Sequence, residues 1–127
     1  MPEAVIQGLE RFNQRAFFDA HESLEHAWRA ERGHVRDLYH GILQLAVAWL
    51  HVERGSFRGA LRSLARATHW LAGFPDDCQG LPVTAIRTQV DALQREVVRC
   101  GERGLAGVDR SVHKPIPPPD RPQSQRG

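Results

Sequence analysis

The segment FFDAHESLEHAWR, residues 17–29, concentrates side chains able to do chemistry, with His21 and His26 beside Asp19, Glu22 and Glu25. Set on a helix, Phe17, Leu24 and Trp28 centre its apolar face, and His21 and Glu25 lie together on the shoulder of that face, one turn apart. Asp19, Glu22 and His26 fall further round, toward water. A second polar stripe, His40, Gln44 and His51, runs along the otherwise apolar stretch YHGILQLAVAWLHVE. A polar group buried without a partner costs roughly 2–7 kcal/mol, so two inward polar stripes on neighbouring helices are expected to face one another.

Three chemistries suit that arrangement. His21 and Glu25, four residues apart, can point at one divalent metal, and His51 from the facing helix would complete a two-histidine, one-carboxylate set with open positions. As an acid/base pair, Glu25 would hold His21 or His51 in one tautomer while the imidazole exchanges a proton with a substrate, hydrolysis being one such reaction. Trp28, Gln44 and His51 would then line the bound ligand. As a structural network, the same side chains satisfy one another and need no ligand. HESLE is not the HExxH of zinc peptidases, and Glu22 with Glu25 lacks the paired Glu-x-x-His of a di-iron bundle. The expectation is a small-ligand or metal-binding pocket between the second and third helices. The alternative is a non-catalytic module that offers a groove to a protein partner.

The elements that must position these residues are all helical. A first helix starts at Pro2 and carries Val5, Ile6, Leu9 and Phe12 at helical spacing, with Asn13 after it as a residue tolerant of left-handed geometry. The second runs from about Ala16 to Arg29, and the third from about Val35 to Arg54, apolar around most of its circumference and so central in the core. Gly55 ends it, and Ser56 can cap a fourth helix with Phe57, Ala60, Leu61, Leu64, Ala67 and Leu71 inward. Pro82 opens a fifth, whose Val83, Ile86, Val90, Leu93, Val97 and Cys100 alternate at three and four. No period-two run suggests a sheet.

Shifted by forty positions, Phe17, Ala20, Leu24 and Ala27 fall on Phe57, Ala60, Leu64 and Ala67. Two helical hairpins of tetratricopeptide type plus a closing helix would give that self-similarity. The expected fold is an all-α compact bundle of about five helices over residues 1–100, followed by a disordered or extended Pro- and Arg-rich tail over 101–127. The fifth helix has to bury its stripe in the bundle or against a second copy in a homodimer.

Composition narrows the partners. The net charge is +2, from 17 basic and 15 acidic side chains. Five of the basic residues (Arg103, Arg110, Lys114, Arg121, Arg126) and three of the acidic ones (Glu102, Asp109, Asp120) follow Gly101, leaving a balanced 12 and 12 before it. A balanced body argues against nucleic acid. No apolar run is long enough to span a membrane, and MPEAVIQGLERF lacks the basic flank and apolar core of a secretory signal, so a cytoplasmic protein with reduced Cys78 and Cys100 is expected. Arg58, Arg62 and Arg66, with His69 nearby, read as a solvated basic face, and Trp28, Trp49 and Trp70 as core anchors.

FNQRAFFDAHESLEHAWR, followed by HGILQLAVAWLHVERGSFRGALRSL, resembles the domain of unknown function family 309 over roughly residues 5–72. Its members are short helical proteins of bacteria and archaea. They have an Asn before the second helix, an Ala-His-Glu-x-x-Glu-x-x-Trp core and a Gly-x-x-Gln-x-Ala helix ending near a His. The matching positions are Asn13, Ala20, His21, Glu22, Glu25, Trp28, Gly41, Gln44, Ala46 and His51. His40 stands where the family has Gln, and Ser56 where it has Asn. The resemblance implies a helical fold and brings no catalytic role with it.

Overall fold

The computed structural model describes residues 1–119. Five helices follow in order: α1 Glu3–Asn13, α2 Phe17–Ala30, α3 Arg36–Glu53, α4 Phe57–Leu71 and α5 Val83–Cys100. Local chemistry sets their ends. Pro2 precedes α1 and Pro82 precedes α5, where a missing N–H costs nothing. Gly55, at φ 76°, turns the chain after α3, and the Ser56 hydroxyl accepts from the Gly59 N–H to cap α4. The left-handed residue between α1 and α2 is Arg15, at φ 63°, rather than Asn13, which ends α1 and uses its side chain elsewhere.

Between α4 and α5 lies a minimal hairpin, β1 Asp77–Cys78 and β2 Leu81–Pro82, paired antiparallel with Cys78 opposite Leu81. Its turn residues, Gln79 and Gly80, both have positive φ (56° and 78°), as a two-residue hairpin turn requires.

Helix α3 is the central element, packed between α2 and α4, with α1 outside α2 and α5 against α4. Its Leu38, Ile42, Leu45, Ala46 and Ala48 are completely buried. Three of the four pairs related by the forty-position shift share one environment, Ala20, Leu24 and Ala27 on α2 and Ala60, Leu64 and Ala67 on α4 all being buried, whereas Phe17 is buried and Phe57 only partly so. The α5 stripe of Val83, Ile86, Val90, Leu93 and Val97 is likewise buried within the bundle.

From Gly101 the chain makes two 3-10 turns, Leu105–Gly107 and Arg110–Val112, and then runs without regular structure to Pro119. This segment lies along the bundle, burying Leu105, Val108, His113 and Ile116. Composition alone reads its prolines and arginines as a tail, because the partners that hold it sit far away in sequence. Residues 120–127 of the expected tail lie outside the described residues.

Candidate functional site

On α2, His21 and Glu25 come together as their spacing predicts, with Nε2 of His21 3.3 Å from Oε1 of Glu25. They are shoulder residues, with side chains 27% and 32% exposed. The other Glu25 oxygen is taken from the same helix: Arg29 donates to Oε2 from Nε (3.1 Å) and Nη2 (2.7 Å). That hydrogen bond holds the Glu25 carboxyl below the usual carboxylate range. A Glu followed four residues later by an Arg is the favoured orientation on a helix. Glu25 thus engages Arg29 and His21 along α2, while Nδ1 of His21 is buried with no partner among the described residues.

The α3 stripe divides. His51 packs on the start of α4, so close that a Cβ on Gly59 would meet its Nδ1 at 2.6 Å. Burial, then Arg62 and Arg54, push the His51 imidazole toward its neutral form. His40 and Gln44 stay together, their Nε2 atoms 3.1 Å apart. The expected metal set of His21, Glu25 and His51 is not gathered: Arg29 occupies one ligand and His51 faces α4. Among the described residues no group of three His, Cys, Asp or Glu side chains is placed to hold a metal.

What the fold assembles instead is a column of rings across α2, α3 and α4. His40 lies between Trp28 and Trp70, with centroids 4.5 and 5.0 Å away. Arg36 lies over the Trp28 ring at 4.9 Å, and His69 meets Trp70 edge-on at 4.8 Å. Trp28 and Trp70 are therefore partly exposed flanks of an imidazole, unlike Trp49, which is a core residue 1% exposed. Aromatic faces attract cations and rings edge-on, as Arg36 and His69 do at the two ends of the column, while His40 lies more nearly parallel to its two indoles, at 35° to Trp28 and 23° to Trp70.

Beside the column opens a cleft of about 410 Å³, lined by His40 and Gln44 from α3 and by Ala65, Arg66, His69 and Trp70 from α4. Gln44 is 8% exposed, and its Oε1 has no partner among the described residues. Turned over, the same amide accepts from the His40 imidazole and leaves its NH₂ for a ligand. Burial keeps His40 toward the neutral form; Asp37 opposes this, and Arg36 and Arg66 add to it. In the sequence Arg66 and His69 read as a solvated face and Trp70 as a core anchor, whereas all three line the cleft. Their spacing of three and four on one helix face was the available signal.

Three imidazoles, His40, His51 and His113, are held below their ordinary value of 6.5, burial being the largest cause for each. The unfolded chain then binds more protons than the folded one as the pH falls below about 6.5. Stability is full above that value and is lost as the pH drops toward the folded-state values. The urea midpoint is expected to fall between pH 7.5 and 5, and to fall less in His113→Gln. A midpoint independent of pH in that range would contradict burial of neutral imidazoles.

A family model described as domain of unknown function (DUF309) matches residues 5–63, and the chain is similar to that family over α1, α2, α3 and the first half of α4. The match includes His21, Glu25, Trp28, His40, Gln44 and His51, while Arg66, His69 and Trp70 lie beyond it. No curated protein and no solved structure matches the chain.

Proposed function

We propose that the chain binds a small anionic ligand carrying a flat apolar group, in the cleft between α3 and α4. The observation that supports this most strongly is Gln44, which lines the cleft and whose amide has one end without a partner among the described residues, an NH₂ donor suited to an anion once the amide is turned over. Buried polar atoms left without partners are rare, and one lining a cleft marks a place where a ligand atom completes the set. Arg66 supplies positive charge and His69 a ring nitrogen able to hydrogen-bond, no carboxylate is among the lining residues, and Trp70 offers a ring against which a flat group can lie.

This is a reading of binding rather than hydrolysis. His40 is held toward its basic, neutral form by burial, and its contacts with Trp28, Trp70 and Gln44 fit a positioning role. A divalent metal at His21 and Glu25 is the weaker proposal, since Glu25 would have to surrender Arg29 and the remaining ligands would be water or substrate. The shared burial of the two forty-shifted helices supports describing the hairpins as tetratricopeptide-like. The unpaired Cys78 and Cys100 suit the cytoplasm.

Calorimetric titration with benzoate, and separately with inorganic phosphate, tests the reading. A charge-assisted hydrogen bond is worth about 1.5–3 kcal/mol, so Arg66→Ala is expected to weaken benzoate binding by about ten-fold or more. Benzoate affinity unchanged in Arg66→Ala would overturn the site.

A further inference from the structure

Residues 113–116 are held in the way a receptor holds a peptide. The Asn13 side chain donates from Nδ2 to the Ile116 carbonyl (3.0 Å) and accepts the Ile116 N–H at Oδ1 (2.7 Å). Two residues earlier, Gln89 does the same to Lys114, with Nε2 to the carbonyl at 3.0 Å and the N–H to Oε1 at 3.2 Å. Each amide thereby imitates one rung of an antiparallel strand and reads main chain, not side chain. Gln89 is almost fully buried in this role.

The side-chain preferences come from two positions, one just before the clamp on Lys114 and one at the clamp on Ile116. His113 enters a cage of Phe12, Phe17 and Trp49, with ring centroids at 4.7, 5.5 and 5.8 Å. Its Nε2 lies 2.9 Å from the Phe12 carbonyl. Ile116 fills a second buried position. Pro115 and the prolines after Ile116 keep the segment extended, which lowers the entropy lost on docking.

Two further observations mark the segment as a removable occupant. It joins the bundle through a stretch with glycines at 101, 104 and 107, Gly101 being at φ 74°. It also fills its groove incompletely, leaving a cleft of about 540 Å³ against Ile86, Gln89 and Ala92 of α5.

We propose that the groove between α1 and α5 is a peptide-binding site, occupied in cis by residues 113–116. In trans it takes an extended, proline-flanked peptide of another protein, with a ring side chain at the His113 place and a β-branched aliphatic residue at the Ile116 place. The cis segment acts as a built-in competitor whose high effective concentration sets the affinity a partner must exceed.

The test uses the full chain with a site for a sequence-specific protease inserted after Gly104, cut in the folded protein. A fluorescent peptide of sequence VDRSVHKPIPPP is then titrated while its polarisation is read. Cut protein is expected to bind the peptide at least ten-fold more tightly than uncut protein. A peptide with Asp in place of the His should bind at least ten-fold more weakly to the same cut protein, a comparison independent of how any protein variant folds. Asn13→Ala in the cut protein should weaken binding to a similar degree. Cut protein that keeps its circular dichroism, releases the segment and fails to bind the peptide would overturn the proposal. So would cut protein that unfolds, since the segment would then be part of the core. A dimer formed by reciprocal exchange of the segment would overturn the assignment to another protein and put a second copy in its place.

Discussion

Replacing Trp49 with Ala is expected to cost about 3–5 kcal/mol, the range for deleting a large buried aromatic. The ring is 1% exposed, stacks on Phe17 at 5.6 Å with the planes 7° apart, and forms one wall of the cage around His113. Removing it leaves a cavity beside α3 between Phe17 of α2 and His113, so little of the space can collapse. Trp49→Phe separates volume from polarity. The indole Nε1 is buried with no hydrogen-bond partner among the described residues, so Phe keeps a ring on Phe17 and removes an unsatisfied donor. Urea unfolding is expected to give a much smaller loss for Trp49→Phe than for Trp49→Ala, with similar slopes. Equal losses would show that the indole N–H has a partner.

Gly41→Val is expected to destabilise by about 3 kcal/mol, the upper end for overpacking a close helix crossing. A Cβ at Gly41 would lie 2.7 Å from both Cγ and Cδ2 of Leu71, which is completely buried. Leu71 is poorly placed to retreat, because its carbonyl accepts from Arg87 at 2.9 and 3.2 Å and Arg87 also donates to the Phe74 carbonyl. Gly41→Ala gains roughly 1 kcal/mol of helix propensity that offsets part of the clash, so its net loss should be the smaller one. Gly41 follows His40, and Leu71 follows Trp70. Forcing α3 and α4 apart here should therefore also separate His40 from Trp70, seen as a shift in tryptophan emission in Gly41→Val. A stable Gly41→Val with native emission would show that the crossing has slack.

How far the sequence carried each inference depended on the range of the interaction. Pro2, Ser56, Gly55 and Pro82 marked helix ends correctly because capping involves residues within one turn of each other. The inward stripe of α5 was legible for the same reason. The link from Glu25 to Arg29 is equally local, at the favourable spacing of four, and it competes with His21 for the same carboxylate. The partners of His40 were not legible: they depend on how α2 and α4 rotate about α3, which brings Trp28 and Trp70 to its two faces. Least accessible was the pairing of Asn13 with Ile116, 103 positions apart, where nothing in the Pro-rich composition points to a carboxamide on α1.

The family resemblance was read from residues on α1 to α4, and the family model matches residues 5–63. It reaches His40 and Gln44 on one wall of the cleft and stops short of Arg66, His69 and Trp70 on the other. The α4 half of the site rests on geometry alone, and it is the half that carries the charge. The anionic character proposed for the ligand therefore depends on residues outside the shared span.

The most direct test of the central claim is a titration of ¹⁵N-labelled protein with benzoate, following side-chain resonances. The account predicts that the Trp70 indole N–H and the Gln44 amide move together and saturate together, while the Trp49 indole, buried on the core side of α3, stays in place. Shifts gathered at α5 and residues 111–116, or no saturable shift at Trp70 and Gln44, would contradict it.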